Sequence, residues 1–102
     1  VENKKPMEKE LNVYIWYKSA DKHKEYKGIR CATEDEHKSD SGYLFPGEVE
    51  QKLMSYETLV NKSHEEICDT ILLNILTPEW NFSDDDKEQI TGDVRLLAES
   101  LI

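Results

Sequence analysis

Glycine is too scarce in this chain to build a phosphate-binding loop. The four present, Gly28, Gly42, Gly47 and Gly92, are isolated from one another, whereas a phosphate cradle needs several close together to aim backbone N–H groups at the anion. Cysteine is nearly absent as well. Cys31 and Cys68 stand 37 residues apart, which excludes a disulfide scaffold and supplies no Cys-x-x-Cys pair for zinc. They read as two free thiols, with a single disulfide in an oxidising compartment as the alternative. Long apolar runs are missing too, and none approaches the ~20 residues that cross a bilayer. The first ten residues, mostly charged, show no signal-peptide pattern. A cytoplasmic setting is expected.

Catalytic groups are equally thin. No serine sits in a nucleophile-elbow pattern. His23 and His37 fall in expected loops and His64 in the first turn of an expected helix, none with a cysteine or carboxylate at ligand spacing. The run Asp84-Asp85-Asp86-Lys87-Glu88 fails the calcium-loop template, because the sixth position is Gln89 rather than glycine and the twelfth is Arg95 rather than glutamate. No catalytic residue, metal site or cofactor is assigned. The chain reads as a non-enzyme.

Positive charge is the last scarcity. Thirteen Lys and Arg face twenty-two Asp and Glu, a net charge of -9 on 102 residues. Residues 1–50 hold 9 basic and 11 acidic side chains, and residues 51–102 hold 4 and 11. A strongly negative half repels nucleic acid and anionic membrane and speeds encounter with cationic partners. A basic island does exist at Lys18, Lys22, Lys24, Lys27 and Arg30, interleaved with aromatics as on single-strand binding surfaces. The whole-molecule field opposes that use. Neither nucleic acid nor membrane is expected as a direct partner.

What is present is patterned well enough to fold. Residues 1–10 show no period and read as a loosely held terminus, leaving 11–102 as one domain. Leu11 to Lys18 alternates as a strand, with Leu11, Val13, Ile15 and Tyr17 on one face and Tyr14 and Trp16 on the other. Both faces are apolar enough for a central strand. Tyr26 to Thr33 reads as its hairpin partner, with Ile29 and Cys31 inward and Tyr26, Gly28 and Arg30 outward. Glu34 to Ser41 reads as a charged surface loop, and Tyr43-Leu44-Phe45 as a candidate third strand ended by Pro46-Gly47. Val49, Leu53, Tyr56 and Val60 then share a helical stripe. A second helix starts at Ser63 with Glu66 in capping-box spacing, and a third starts at Ser83. Gly92 inside the third helix predicts a kink or a close approach. The class is α+β: a small antiparallel sheet, the N-terminal hairpin plus that candidate strand, packed against three C-terminal helices.

The triplets Asn61-Lys62-Ser63 and Asn81-Phe82-Ser83 match a glycosylation pattern, yet each also serves as the lead-in to a helix. Asp84, Asp85, Asp86 and Glu88 suit a first helical turn, where the dipole favours carboxylates. Glu34, Asp35, Glu36 and Asp40 have no such explanation in a loop, and three consecutive acids there suit a clamp for Lys or Arg of a partner. Trp16 and Tyr43 are the residue types that anchor interfaces. These ten residues are the candidate partner-binding set. By analogy of charge and size with toxin-immunity and anti-restriction inhibitors, they point to a small acidic protein that docks onto and neutralises a basic protein, such as a nuclease or another nucleic-acid-binding protein. The alternative is a structural or adaptor module whose acidity serves solubility.

Overall fold

The computed structural model describes residues 11–19 and 23–101. The expected loose terminus at 1–10, three residues of the first hairpin loop and Ile102 lie outside them. The chain is an α+β domain, a three-stranded antiparallel sheet packed with three helices that all follow the hairpin in sequence.

Strand β1, Leu11–Ser19, is central, with β2, Lys24–Thr33, on one edge and β3, Glu48–Ser55, on the other. Its position follows from its own composition. A strand whose two faces are both buried must also have both rows of backbone N–H and C=O groups paired, because an unpaired buried amide costs as much as a lost hydrogen bond. That need decides the fate of residues 48–55. The helical stripe expected from Val49 to Val60 is not formed. The segment is extended to Ser55, pairs with β1 from Lys18↔Glu48 to Asn12↔Ser55, and turns only at the 3-10 segment Tyr56–Leu59. The candidate third strand at Tyr43–Phe45 is instead the end of a short 3-10 turn, Ser41–Tyr43, and the loop after it. Gly47 closes that loop in the left-handed region, φ 88°, where only glycine sits without strain, and its carbonyl accepts from Ser19 N–H at 3.0 Å.

Two bulges break the period of two. Gly28 pairs with Trp16 but Tyr26 pairs with Tyr17, so Lys27 is extra in β2. Leu53 is likewise extra in β3, between Lys52↔Tyr14 and Met54↔Val13. A bulge reverses which face the following residues take. Tyr26, expected to point outward by strict alternation, therefore faces the core and is buried, while Ile29 and Cys31 point inward and Gly28 and Arg30 outward as their parity requires.

Helix α1, Glu34–Asp40, occupies the stretch expected as a loop. Thr33 accepts from Glu36 N–H at 3.1 Å while the Glu36 carboxylate takes the Thr33 N–H at 2.9 Å, a complete capping box. Helices α2, His64–Ile75, and α3, Asp84–Leu101, form the layer on the opposite face of the sheet. Ser63 caps α2 through the Glu66 box, and Ser83 Oγ accepts from Asp86 N–H at 3.2 Å to cap α3. Asn61 and Asn81 both adopt positive φ two residues before those caps, a conformation that asparagine tolerates. The helix lead-in accounts for both Asn-x-Ser triplets.

The core lies between the inner sheet face and these two helices. Val13 and Ile15 meet Ile71, Ile75, Ile90 and Val94, all fully buried, and each such side chain contributes roughly 1.5–3 kcal/mol. The 76–83 connection folds Trp80 and Phe82 over the sheet end. Trp80 packs edge-on against Tyr17 at 5.3 Å and stacks on Phe82 at 5.7 Å, and Phe82 meets Tyr26 edge-on. The close approach predicted at Gly92 is absent. The helix runs unbroken through it, and a Cβ there would meet open space.

Candidate functional site

The ten candidate residues fall on two opposite faces. Glu34, Asp35, Glu36 and Asp40 lie on α1, which covers the outer face of the sheet, together with Trp16 and Tyr43. Asp84, Asp85, Asp86 and Glu88 lie at the start of α3, over the inner face. A flat partner surface meets one group or the other.

On the outer face the side chains of β1, β2 and β3 build a polar cluster under α1. Tyr14 is 2 % exposed, because the His37 ring stacks on it at 4.3 Å with planes 10° apart. The cover on this face is therefore α1, not the C-terminal helices. Arg30, across the pair from Tyr14, donates Nε and Nη2 to the two Glu50 oxygens at 2.8 and 2.9 Å and Nη1 to Asp40 at 2.8 Å. His37 Nδ1 lies 2.9 Å from Glu50 Oε1. Burial by itself would raise the Glu50 carboxyl, but the hydrogen bonds from Arg30 and His37 outweigh it and hold the group below the usual carboxylate range. The same contacts, with Glu50 first, raise the already basic Arg30 further.

Beside this cluster opens a cleft of about 350 Å³, lined in part by Trp16, Lys27, Arg30, Asp40, Tyr43 and Glu50. It brings together three of the ten candidates, Trp16, Asp40 and Tyr43. Trp16 lies over Gly28, where even a Cβ would sit 3.5 Å from its ring. Its indole N–H is buried without an acceptor among the described residues. Tyr43 is 82 % exposed and Phe45 72 %. None of the lining residues is a serine, threonine or cysteine. Both Glu50 oxygens are held by the Arg30 guanidinium, and no group of three or more potential metal ligands gathers among the described residues. Cys31 and Cys68 are free thiols, and burial raises both above the usual thiol range, which keeps them protonated and poorly nucleophilic.

The acidic candidates divide sharply by what they already hold. Glu36 is spent on the cap of α1 and Asp40 on Arg30. Because a helix does start at Glu34, its dipole explains the acids at 34–36 after all. Asp86 accepts from Tyr26 N–H at 3.1 Å, next to the β2 bulge, and Asp93 accepts from Tyr26 Oη at 2.6 Å. These bonds clamp α3 to β2, and burial together with Asp93 drives the Tyr26 phenol well above its usual range. Glu34, Asp35, Asp84, Asp85 and Glu88 remain exposed. Glu34 lies only 3.8 Å from Lys38, a weak surface pair.

Sequence reasoning missed Glu50 and His37 as parts of one cluster. The signals were present: Thr33-x-x-Glu36 announces a helix start, and Glu48, Glu50 and Lys52 alternate with a period of two. Comparison with known proteins gives no matching family model, no matching curated protein and no matching solved structure.

Proposed function

We propose that this chain is a small acidic binding protein that docks onto a basic protein and blocks it. The observation that carries the reading is the layering of charge. Residues 64–101, which contain the whole α2–α3 layer, hold ten acidic and two basic side chains, a net of -8. Residues 11–63, which contain the sheet and α1, hold nine acidic and eight basic, a net of -1. The field of the molecule therefore projects from one side, and such a field speeds and orients the approach of a cationic surface. Asp84, Asp85 and Glu88 are its exposed contacts at the start of α3. The acids of α1 are the weaker half, being opposed by Lys27, Arg30, Lys38 and Lys52 on the same side of the sheet.

A nuclease or other nucleic-acid-binding protein is the target class that best fits this chemistry. Its groove is built to take phosphates, and carboxylates set in their place use the target's own charge. Such an inhibitor acts where its target is made, in the cytoplasm. A second reading, an adaptor that binds through apolar surface, is favoured by one observation, the exposure of Leu73 on α2 and of Leu76 just after it.

The test is a pull-down from the native host with the intact chain as bait, eluted by a salt gradient and identified by mass spectrometry. The expected result is one basic protein held at 0.1 M salt and released as the Debye length falls below about 10 Å. The triple variant Asp84→Asn, Asp85→Asn, Glu88→Gln should lose it. A partner indifferent to both salt and the triple variant sinks the inhibitor reading and leaves the adaptor.

A further inference from the structure

Helix α2 carries more apolar surface than the fold covers. Ile67, Cys68, Ile71 and Ile75 fill its core stripe and are buried. Leu73 and Leu76 turn toward solvent on a second side, Leu73 being 76 % exposed, and with Asp69 and the half-buried Leu72, which also packs on the core, they line a shallow groove of about 310 Å³. Asp69, Leu72, Leu73 and Leu76 follow the i, i+3, i+4, i+7 spacing of a single helix face, and Glu65 extends that face one turn toward the N-terminus. A helix apolar on two sides is ordinarily covered on two sides. Here the fold covers one.

We propose that this face of α2 is the docking surface for an amphipathic helix of a basic protein. Apolar anchors of the incoming helix enter the groove between Leu72, Leu73 and Leu76, and its Lys or Arg side chains lie against Asp69 and Glu65. The inference rests on the binding reading above and names the kind of element the partner presents. Charge selects this occupant. The layer that contains α2 has a net of -8, so a second copy laid on the same face brings acid against acid, while a cationic helix is drawn to it. The split of the face, acids toward the N-terminus and leucines toward the C-terminus, matches the two requirements of helix-in-groove recognition: a few apolar anchors and a flanking charge that fixes their direction.

The probe is a labelled synthetic helix of about 20 residues with leucines at i, i+3, i+4 and i+7 and lysines on its flanks. Its controls are the same helix with glutamates for lysines and a scrambled lysine peptide of equal composition. Binding is followed by fluorescence anisotropy against the full chain, and the contact is mapped by amide shift changes in labelled wild-type protein. The expected result is binding of the patterned lysine helix alone, with shifts centred on Glu65, Asp69, Leu72, Leu73 and Leu76. Leu73→Asp should weaken it at least tenfold, and Asp69→Asn should flatten its salt dependence. Leu73 makes little of the core, so a thermal melt should show the variant folded, and the wild-type shift map stands independently of it. Shifts confined to the start of α3, or equal binding of the scrambled peptide, overturn the inference. A dimer of the wild-type chain that Leu73→Asp abolishes also overturns it. If Leu73→Asp still retains a basic host protein that the Asp84/Asp85/Glu88 variant loses, the docking surface is wrong while the binding reading stands. If neither variant nor wild type retains one, the binding reading itself fails.

Discussion

Glu50→Gln should cost about 2 kcal/mol of folding stability at neutral pH, and that cost should disappear in acid. The Glu50 side chain is 8 % exposed, and it accepts three charged or polar contacts within 2.9 Å, two from Arg30 and one from His37. A hydrogen bond to a charged group contributes roughly 1.5–3 kcal/mol. Arg30 is 37 % exposed and keeps its Asp40 contact, and glutamine still offers one acceptor, so the net loss is closer to that of a single such bond than to the sum of three. In a domain of this size about 2 kcal/mol lowers the melting temperature by roughly 10 °C. The pH sign follows from the depressed carboxyl. Its folded value lies below the unfolded one, so its contribution is complete above the ordinary glutamate range near pH 4.3 and fades as pH falls through the folded value. Urea unfolding followed by tryptophan fluorescence at pH 7 and again near pH 3 measures both. Arg30→Met gives the complementary arm: it strands a buried carboxylate and should cost more than Glu50→Gln, by about 3–5 kcal/mol in all. Equal midpoints for wild type and Glu50→Gln at pH 7, or the same gap at both pH values, would refute the assignment of Glu50 as the electrostatic centre of the outer face.

Gly92→Ala should stabilise the chain by roughly 1 kcal/mol, since the helix interior gains propensity and nothing stands within 4 Å of the new methyl; a thermal melt with a lower midpoint would contradict this. Tyr26→Phe should lose about 1–2 kcal/mol by removing the Asp93 hydrogen bond. In wild type the raised Tyr26 phenol makes stability fall as pH climbs above about 10, and the variant should lose part of that alkaline dependence in denaturation curves. Cys31 and Cys68 should react with a thiol reagent at pH 8 far more slowly in the folded chain than in urea, because burial raises both thiols; fast labelling of the native protein would show that one of them is accessible as thiolate.

The elements legible in the chain were those fixed by local rules. Ser63-x-x-Glu66 and Ser83 mark helix starts because the capping oxygen and its amide lie within one turn. The alternation from Leu11 to Tyr17 marks β1, and its two apolar faces already require a central place in the sheet. Residues 49–60 were not legible in the same way. Val49, Leu53, Tyr56 and Val60 satisfy a helical stripe, while Glu48, Glu50 and Lys52 satisfy a strand. Only the open edge of β1, which demands a partner for its amides, decides between the two periods.

The candidate site divides along the same line. Net charge, its concentration after residue 64 and the exposed Asp84, Asp85 and Glu88 are properties of composition and helix start, readable without coordinates. The roles of Glu36, Asp40 and Asp86 are not, since each is occupied by a cap, a guanidinium or an amide that the fold alone brings within reach. Sequence determined the class of fold, the starts of α2 and α3 and the sign of the field, because these depend on short-range spacing and on sums. Tertiary structure decided that the two acidic groups face opposite ways, that a bulge at Lys27 turns Tyr26 inward, and that β1, β2, β3 and α1 meet at Glu50. Those outcomes depend on which backbone edges and faces must be covered, a requirement that no single segment can satisfy from its own residues.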